Sequence, residues 1–517
     1  MDERLAAAWR LLPNYLAQHV LLSVCALVLG FAISLPLAVA ASRSPAVRWP
    51  SLFGASLIQT IPSLALLALF YPLLLALSDL SKSWFGRGFP ALGFAPSLMA
   101  LTLYSMLPIL RNGVAGILGV DPAASEAARG MGMTEGQRLT RVELPLAAPV
   151  IMAGVRTAAV WTIGAATLAT PVGQTSLGNY IFSGLQTENW VYVLFGCAAS
   201  AGLALAADQL LGLIESGLSH RRPWRIWAGA VGLVAGTAAA LSPLVAPAGP
   251  GGYVVGAKNF SEQYILAELM ANRLEAVGAH VTRKEDLGSA TAYRALAAGE
   301  IDVYVDYTGT LWSNVLGRKD NPGRAAVLAG LTRTLKARDG VVVLGPLGFE
   351  NAYALAMRGD RARALGIASI ADLAQQAPAL ALGSDLEFLS RPEWAALQSA
   401  YGLRFRKETS YQPTFMYRSL EEGETDVISA FSSDGRIAAD HLLVLPDPRH
   451  ALPPYDAVIL ISPRRANDAR LRRALTPLVG AIDVAAMRAA NYSVDRDQNK
   501  VTPARAAATL DQKVTRR

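Results

Sequence analysis

The chain has 517 residues, 52% of them apolar, and a formal charge of +7; its length predicts several domains. The charge does not argue for nucleic acid, because the arginines cluster in short loops between apolar runs, where anionic lipid accounts for them. Cys25 and Cys197 both fall inside apolar runs, which excludes a disulfide scaffold, and five scattered histidines give no metal site and no expected cofactor.

Six apolar runs of bilayer-spanning length, about 20 residues each, lie near 16–41, 52–77, 95–118, 149–171, 190–214 and 226–246. Arg43 and Arg48 follow the first, Arg129, Arg138 and Arg141 the third, and Arg221, Arg222 and Arg225 the fifth, while no Lys or Arg occurs between Val172 and Val191. By the positive-inside bias these three loops are cytoplasmic. The amino terminus is then outside, against a weak contrary signal from Arg4 and Arg10. The sixth run carries everything after about Leu244 to the outer, periplasmic face of a cell inner membrane. The first run lacks a small-residue cleavage site after a short core and is expected to be retained.

The loop after the third run reads Glu126-Ala127-Ala128-Arg129-Gly130-Met131-Gly132, with Val142-Glu143-Leu144-Pro145 following nine residues later. This resembles the EAA loop of ABC importer permeases. The resemblance implies a short cytoplasmic helix pair over about 121–146 that docks on a separate ATPase, with Glu126, Ala127, Ala128, Gly132, Leu144 and Pro145 as coupling residues. Val142 replaces the usual isoleucine and keeps its shape. The stretch Gly251 to Lys258 fails as a phosphate-binding loop, because Ala257 separates the last glycine from the lysine and no Ser or Thr follows. No G-x-S-x-G or H-E-x-x-H motif occurs either. ATP hydrolysis is therefore expected on another chain, and the protein is not expected to be an enzyme.

Residues 246–252, Ala-Pro-Ala-Gly-Pro-Gly-Gly, form a linker by composition. Beyond it, short apolar runs alternate with helical patterns: strands are predicted at 253–256, 301–305, 341–344, 352–357, 380–383, 426–430 and 458–461, and a helix over 261–276. Such alternation predicts an α/β domain with mostly parallel sheets, long enough for two lobes.

The motifs in this half are Gly256-Ala257-Lys258-Asn259-Phe260-Ser261-Glu262-Gln263, Asp306-Tyr307-Thr308-Gly309-Thr310, Gly348-Phe349-Glu350-Asn351-Ala352-Tyr353, Ser390-Arg391-Pro392-Glu393-Trp394 and Ser433-Asp434-Gly435-Arg436-Ile437. In this order they resemble the quaternary-amine-binding proteins of osmoprotectant ABC importers, those for glycine betaine, carnitine and choline. Residues 14–215 resemble the permease of the same systems. The fold implied is an α-helical transmembrane domain of the type I ABC importer kind, followed by an α/β two-lobed domain like the periplasmic binding proteins. The implied division is 1–220 for the permease, 221–252 for the sixth span and linker, and 253–517 for the binding domain. Within the last, lobe one takes about 253–347 and 456–517 and lobe two about 348–455.

A quaternary ammonium group has no N–H to donate in a hydrogen bond and is held by aromatic faces. The resemblance implies Tyr307, Tyr353 and Tyr455 as cage walls and puts Phe431 where a fourth tyrosine is common. It also implies Lys258, Thr310 and Arg391 as holders of a carboxylate, for which arginine offers a planar fork. The roles of Glu350, Asn351, Asp385 and Glu387 stay open, and an acidic side chain in the pocket would favour choline. The expected function is an importer subunit for a betaine-type solute, with choline, carnitine or ergothioneine as alternatives and a membrane-tethered sensor as a second reading. The expected partners are the ATPase, a second copy of the permease domain, membrane lipid and the small ligand.

Overall fold

The computed structural model describes residues 3–85, 93–187, 189–245, 252–318, 320–385, 387–411, 413–496 and 499–515. The linker expected at 246–252 lies outside them, Gly252 excepted. The chain divides into two compact units, one of residues 8–181 and 194–247, the other of 1–7, 182–193 and 248–517.

The part of the chain before residue 248 is helical: α1 Glu3–Arg43, α2 Pro45–Thr60, α3 Ser63–Phe85, α4 Phe94–Leu118, α5 Pro122–Gly130, α6 Glu135–Arg138, α7 Leu144–Ala166, α8 Gly178–Gln186, α9 Trp190–Ser219 and α10 Pro223–Val245. Among the described residues, five helical stretches are long and apolar enough to cross a membrane, namely Arg4–Arg43, Phe94–Leu118, Glu135–Val172, Trp190–Ser219 and Pro223–Leu244. The apolar run expected as one span over 52–77 forms a pair of helices turned by 104°, a sixth span if the pair crosses as one broken helix. Pro62 is the cause, since the residue before a proline is driven out of the helical region, and Ile61 is extended at φ −75°, ψ 127°. Small residues let the backbones approach. A Cβ at Gly113 would lie 2.8 Å from Ala38, and one at Gly154 would lie 2.7 Å from the Pro108 carbonyl.

The second unit holds two five-stranded sheets, here called A and B. Sheet A has the order β2-β1-β3-β10-β4, with β1 Tyr253–Lys258, β2 Val281–Leu287, β3 Val303–Tyr307, β4 Val342–Glu350 and β10 Asp456–Ile461. Sheet B has the order β7-β6-β8-β5-β9, with β5 Tyr353–Arg358, β6 Ala381–Asp385, β7 Lys407–Tyr411, β8 Val427–Phe431 and β9 Leu442–Leu445. Every residue of β3, β6 and β10 is buried, as expected for strands covered on both faces. The helix α11 Ser261–Ala276 packs Ile265, Leu266 and Leu269 into the same core as Val255 and Val305.

The sheets are mixed rather than mostly parallel. In each, the strand carrying the chain in or out of the lobe runs against its neighbours: β10 is antiparallel to β3 and β4, and β5 to β8 and β9. The chain passes from sheet A to sheet B at Asn351–Ala352 and returns between Leu445 and Asp456.

Candidate functional site

Residues expected to form an aromatic cage do come together, and they come from both sheets. Tyr307 ends β3, Tyr455 directly precedes β10, Tyr353 opens β5 and Phe431 ends β8, where it is the register partner of Tyr353. Ring centroids lie 4.8 Å apart for Tyr353 and Phe431, 5.8 Å for Tyr353 and Tyr455, and 5.2 Å for Tyr353 and Phe388. Phe260 completes the chain of rings, parallel to Phe431 at 6.1 Å and 6.2 Å from Tyr307. Sequence reasoning missed Phe260 and Phe388 as members. The available signal for Phe260 was its place in the turn between β1 and α11, where the chain leaves the end of a central strand.

The expected cationic groups stand against two different rings of this cluster. Lys258, buried at the end of β1, pairs with the carboxylate of Asp306 and lies 5.1 Å from the Tyr307 ring centre. Its charge is thus matched within the protein. The Arg391 guanidinium stands 5.2 Å over the Tyr353 ring. One of its amino groups donates to Glu387 at 3.0 Å, while its Nε and Nη1, both buried, have no hydrogen-bond partner among the described residues. Thr310 is buried in the turn that follows Tyr307.

Three buried acids underlie the rings, of which the sequence singled out only Asp385, with its role open. Glu262, in the first turn of α11, accepts from the Tyr307 hydroxyl at 2.6 Å, from Asn351 at 3.0 Å and from Asn491 at 2.8 Å. Burial pushes its carboxyl up, and those hydrogen bonds oppose the shift. Tyr307 is pushed well above the ordinary phenol range by burial and by that same carboxylate. Glu393, 1% exposed, accepts from the Tyr455 hydroxyl. Asp385 accepts backbone N–H groups of Glu387 and Phe388 at 2.9 and 3.1 Å, which shapes the loop below Arg391, and burial raises it too.

The loop after β8 is held by residues 488–495. The Asn491 amide donates to the Ser433 carbonyl at 2.9 Å, and Arg488 donates to the Ser432 carbonyl at 2.8 Å. Arg436 pairs with Asp434 at 2.7 Å, and Asp495 accepts from the Ser261 hydroxyl. A Cβ at Gly435 would lie 2.4 Å from the Tyr492 side chain, so only glycine permits this approach.

In the helical unit, the segment expected as a coupling loop forms two short helices, α5 and α6, joined through Gly132 at φ +78°. Asp121 caps α5 by accepting from Ala123 at 2.9 Å, and Thr134 and Gln137 form a reciprocal capping box on α6. Glu126, Ala127, Met131 and Gly132 are exposed, whereas Ala128 is buried. Beneath them Glu143 is buried and joined to Arg138 at 3.1 Å, to Ser125 at 3.3 Å and to Arg43 at the end of α1. Leu144 and Pro145 begin α7. The loop therefore presents a small-residue face on the surface and is tied by one carboxylate to the first membrane-length helix.

Two family models match. One, the substrate-binding domain of an ABC-type glycine betaine transport system, covers 252–512, and the other, the inner-membrane component of binding-protein-dependent transport systems, covers 30–220. An ergothioneine transport permease/ergothioneine binding protein of Helicobacter pylori is 29% identical over 429 residues, 78% of this chain and 72% of that one. A choline transport system permease protein of Bacillus subtilis is 40% identical over 202 residues, 39% of this chain and 86% of that one. A crystal structure of a glycine betaine/carnitine/choline ABC transporter matches 50% of this chain and 98% of its own, at 25% identity and a TM-score of 0.45.

Proposed function

We propose, from the premise that this chain belongs to the glycine betaine-type ABC transport family and fuses its inner-membrane permease to its substrate-binding domain, that it captures a quaternary amine and hands it to its own permease. The observation that carries the ligand class is the aromatic cluster of Phe260, Tyr307, Tyr353, Phe431 and Tyr455, drawn from both sheets. A trimethylammonium group gains on the order of 0.5–2 kcal/mol from each ring face that it meets without water. Rings contributed by two lobes reward the closed form, because only that form presents all of them at once.

Arg391 supports the second half of the reading. A buried guanidinium with unpartnered Nε and Nη1 has donors for an acceptor on the ligand, and such charged hydrogen bonds contribute roughly 1.5–3 kcal/mol. Lys258, already paired with Asp306, acts in this reading by holding Tyr307 and the end of β1 in place. Thr310 lines the turn beside the rings. Glu126, Ala127, Gly132 and their neighbours receive a separate cytoplasmic ATPase, whose closure is passed through Glu143 to α1 and through Leu144 and Pro145 to α7. The binding domain lies on the outer face, and two copies of the permease domain together enclose the path through the membrane.

The test is uptake of radiolabelled quaternary amines by the full chain reconstituted in proteoliposomes with its ATPase. ATP-dependent accumulation of at least one trimethylammonium compound is expected. No uptake, together with no calorimetric binding of any such compound, would sink the reading.

A further inference from the structure

Glu393 has no part in the reading above, yet it is among the most deeply buried carboxylates around the rings, 1% exposed at the start of the helix Pro392–Tyr401. Its Oε1 accepts from the Tyr455 hydroxyl, and its Oε2 has no hydrogen-bond partner among the described residues. Arg391 does not fill that place: its Nη1 approaches Oε1 only to 3.8 Å, beyond hydrogen-bonding distance. An unpaired donor set on Arg391 and an unpaired acceptor on Glu393 thus stand side by side, against Tyr353 and Tyr455.

Buried polar atoms in folded proteins find partners, and leaving one unpaired is costly. A ligand made only of a trimethylammonium group and a carboxylate satisfies Arg391 but brings a second anion to Glu393 and leaves Oε2 without a donor. A ligand that also carries a hydroxyl or an N–H satisfies both, and one hydroxyl can do so alone by donating to Glu393 and accepting from Arg391. Charge points the same way. Arg391 faces two carboxylates, Glu387 at 3.0 Å and Glu393 at 3.8 Å, so this end of the pocket is not a surplus of positive charge awaiting an anion.

We infer that Glu393 is a specificity-determining residue that takes a hydrogen bond from the ligand, so that the transported compound is a quaternary amine bearing an O–H or N–H donor rather than glycine betaine. This deepens the proposed function and rests on it. A site built to pair with a ligand donor discriminates against an analogue without one.

The experiment is titration calorimetry on the purified full chain with glycine betaine, choline, carnitine and ergothioneine, for the native protein and for Glu393→Gln, whose amide oxygen still accepts from Tyr455. At least one donor-bearing compound is expected to bind about tenfold or more tightly than glycine betaine, and Glu393→Gln is expected to erase most of that ratio. Glycine betaine binding as tightly as all three others would overturn the inference, and the native ranking alone decides this if the variant does not fold. An equal loss for all four ligands in Glu393→Gln would also overturn it. Binding of none of the four would overturn both this inference and the function on which it rests.

Discussion

Two tyrosines proposed for the same cage carry different burdens. The Tyr353 ring meets Phe388, Phe431 and Tyr455 and lies under Arg391, whereas the Tyr307 hydroxyl is bonded to Glu262 and Gln263 inside the protein. Tyr353→Ala is therefore expected to weaken every trimethylammonium ligand by about 1–2 kcal/mol. Tyr307→Phe keeps a ring and is expected instead to lower stability by about 1 kcal/mol, with affinity retained. Calorimetry and thermal unfolding on the full chain separate these; unchanged affinity in Tyr353→Ala removes it from the cage. Asp495 gives a residue-scale pH dependence. Burial raises it to about 6, opposed by Arg436 and by the Ser261 hydroxyl, with Asp434 and Lys500 as the other charges facing it. A carboxyl raised on folding binds more protons in the folded state, so between about 6 and its ordinary range near 3.8 stability rises as pH falls. Asp434, lowered by Arg436, acts in the opposite sense but only below 3.8. The melting temperature of the native chain relative to Asp495→Asn should accordingly improve from pH 7 to pH 4. A gap that does not change with pH would exclude this contribution.

Among elements, what the sequence revealed depended on burial. The strands read from apolar runs include β1, β3, β5, β6, β8 and β10, all interior to their sheets, and the start of the edge strand β4. The strands not foreseen, β2, β7 and β9, are all edges. Two of them, Val-Thr-Arg-Lys-Glu-Asp-Leu and Lys-Glu-Thr-Ser-Tyr, are charged or polar in the manner that protects an edge from pairing, and so lack the apolar signal. The antiparallel strands were hidden for another reason, because direction is set by where the chain crosses between sheets and no local pattern encodes that. Of the proposed site, the motif tyrosines and Arg391 could be named from the sequence, whereas Glu262 and Glu393 stood out only when folding placed them behind the rings. The proposed coupling loop offers an element-scale test. A Cβ at Gly132 would touch nothing within 4 Å, so a substitution there is strained by its φ of +78° alone. That strain is roughly 1–2 kcal/mol for most residues and less for asparagine. Gly132→Val is expected to abolish most transport and ligand-stimulated ATP hydrolysis in the assembled complex, Gly132→Asn to keep much of both, and ligand binding to be the same in each. Full transport by Gly132→Val would mean that the loop does not transmit ATPase closure.

For the whole molecule, the decisive property is which side of the membrane each part occupies, and arginine placement gives a definite expectation. Arg221 and Arg222 lie between α9 and α10, and Arg225 lies in the first turn of α10; both helices are of membrane-crossing length. The short segment between them is the kind that the positive-inside bias governs. Reporter fusions after Leu218 and after Gly252 should then lie on opposite sides, with a fluorescent reporter active at the first and a phosphatase, which needs the outer compartment, active at the second. Both reporters on one side would remove α10 as a span and leave the binding domain facing the cytoplasm, where it could not gather solute from outside. Neutralising all three arginines provides the control for cause. If they set the orientation, phosphatase activity after Gly252 should fall and fluorescence there should rise. If the pattern is unchanged, the arginines upstream, at Arg129, Arg138 and Arg141 in the coupling segment, hold the topology on their own.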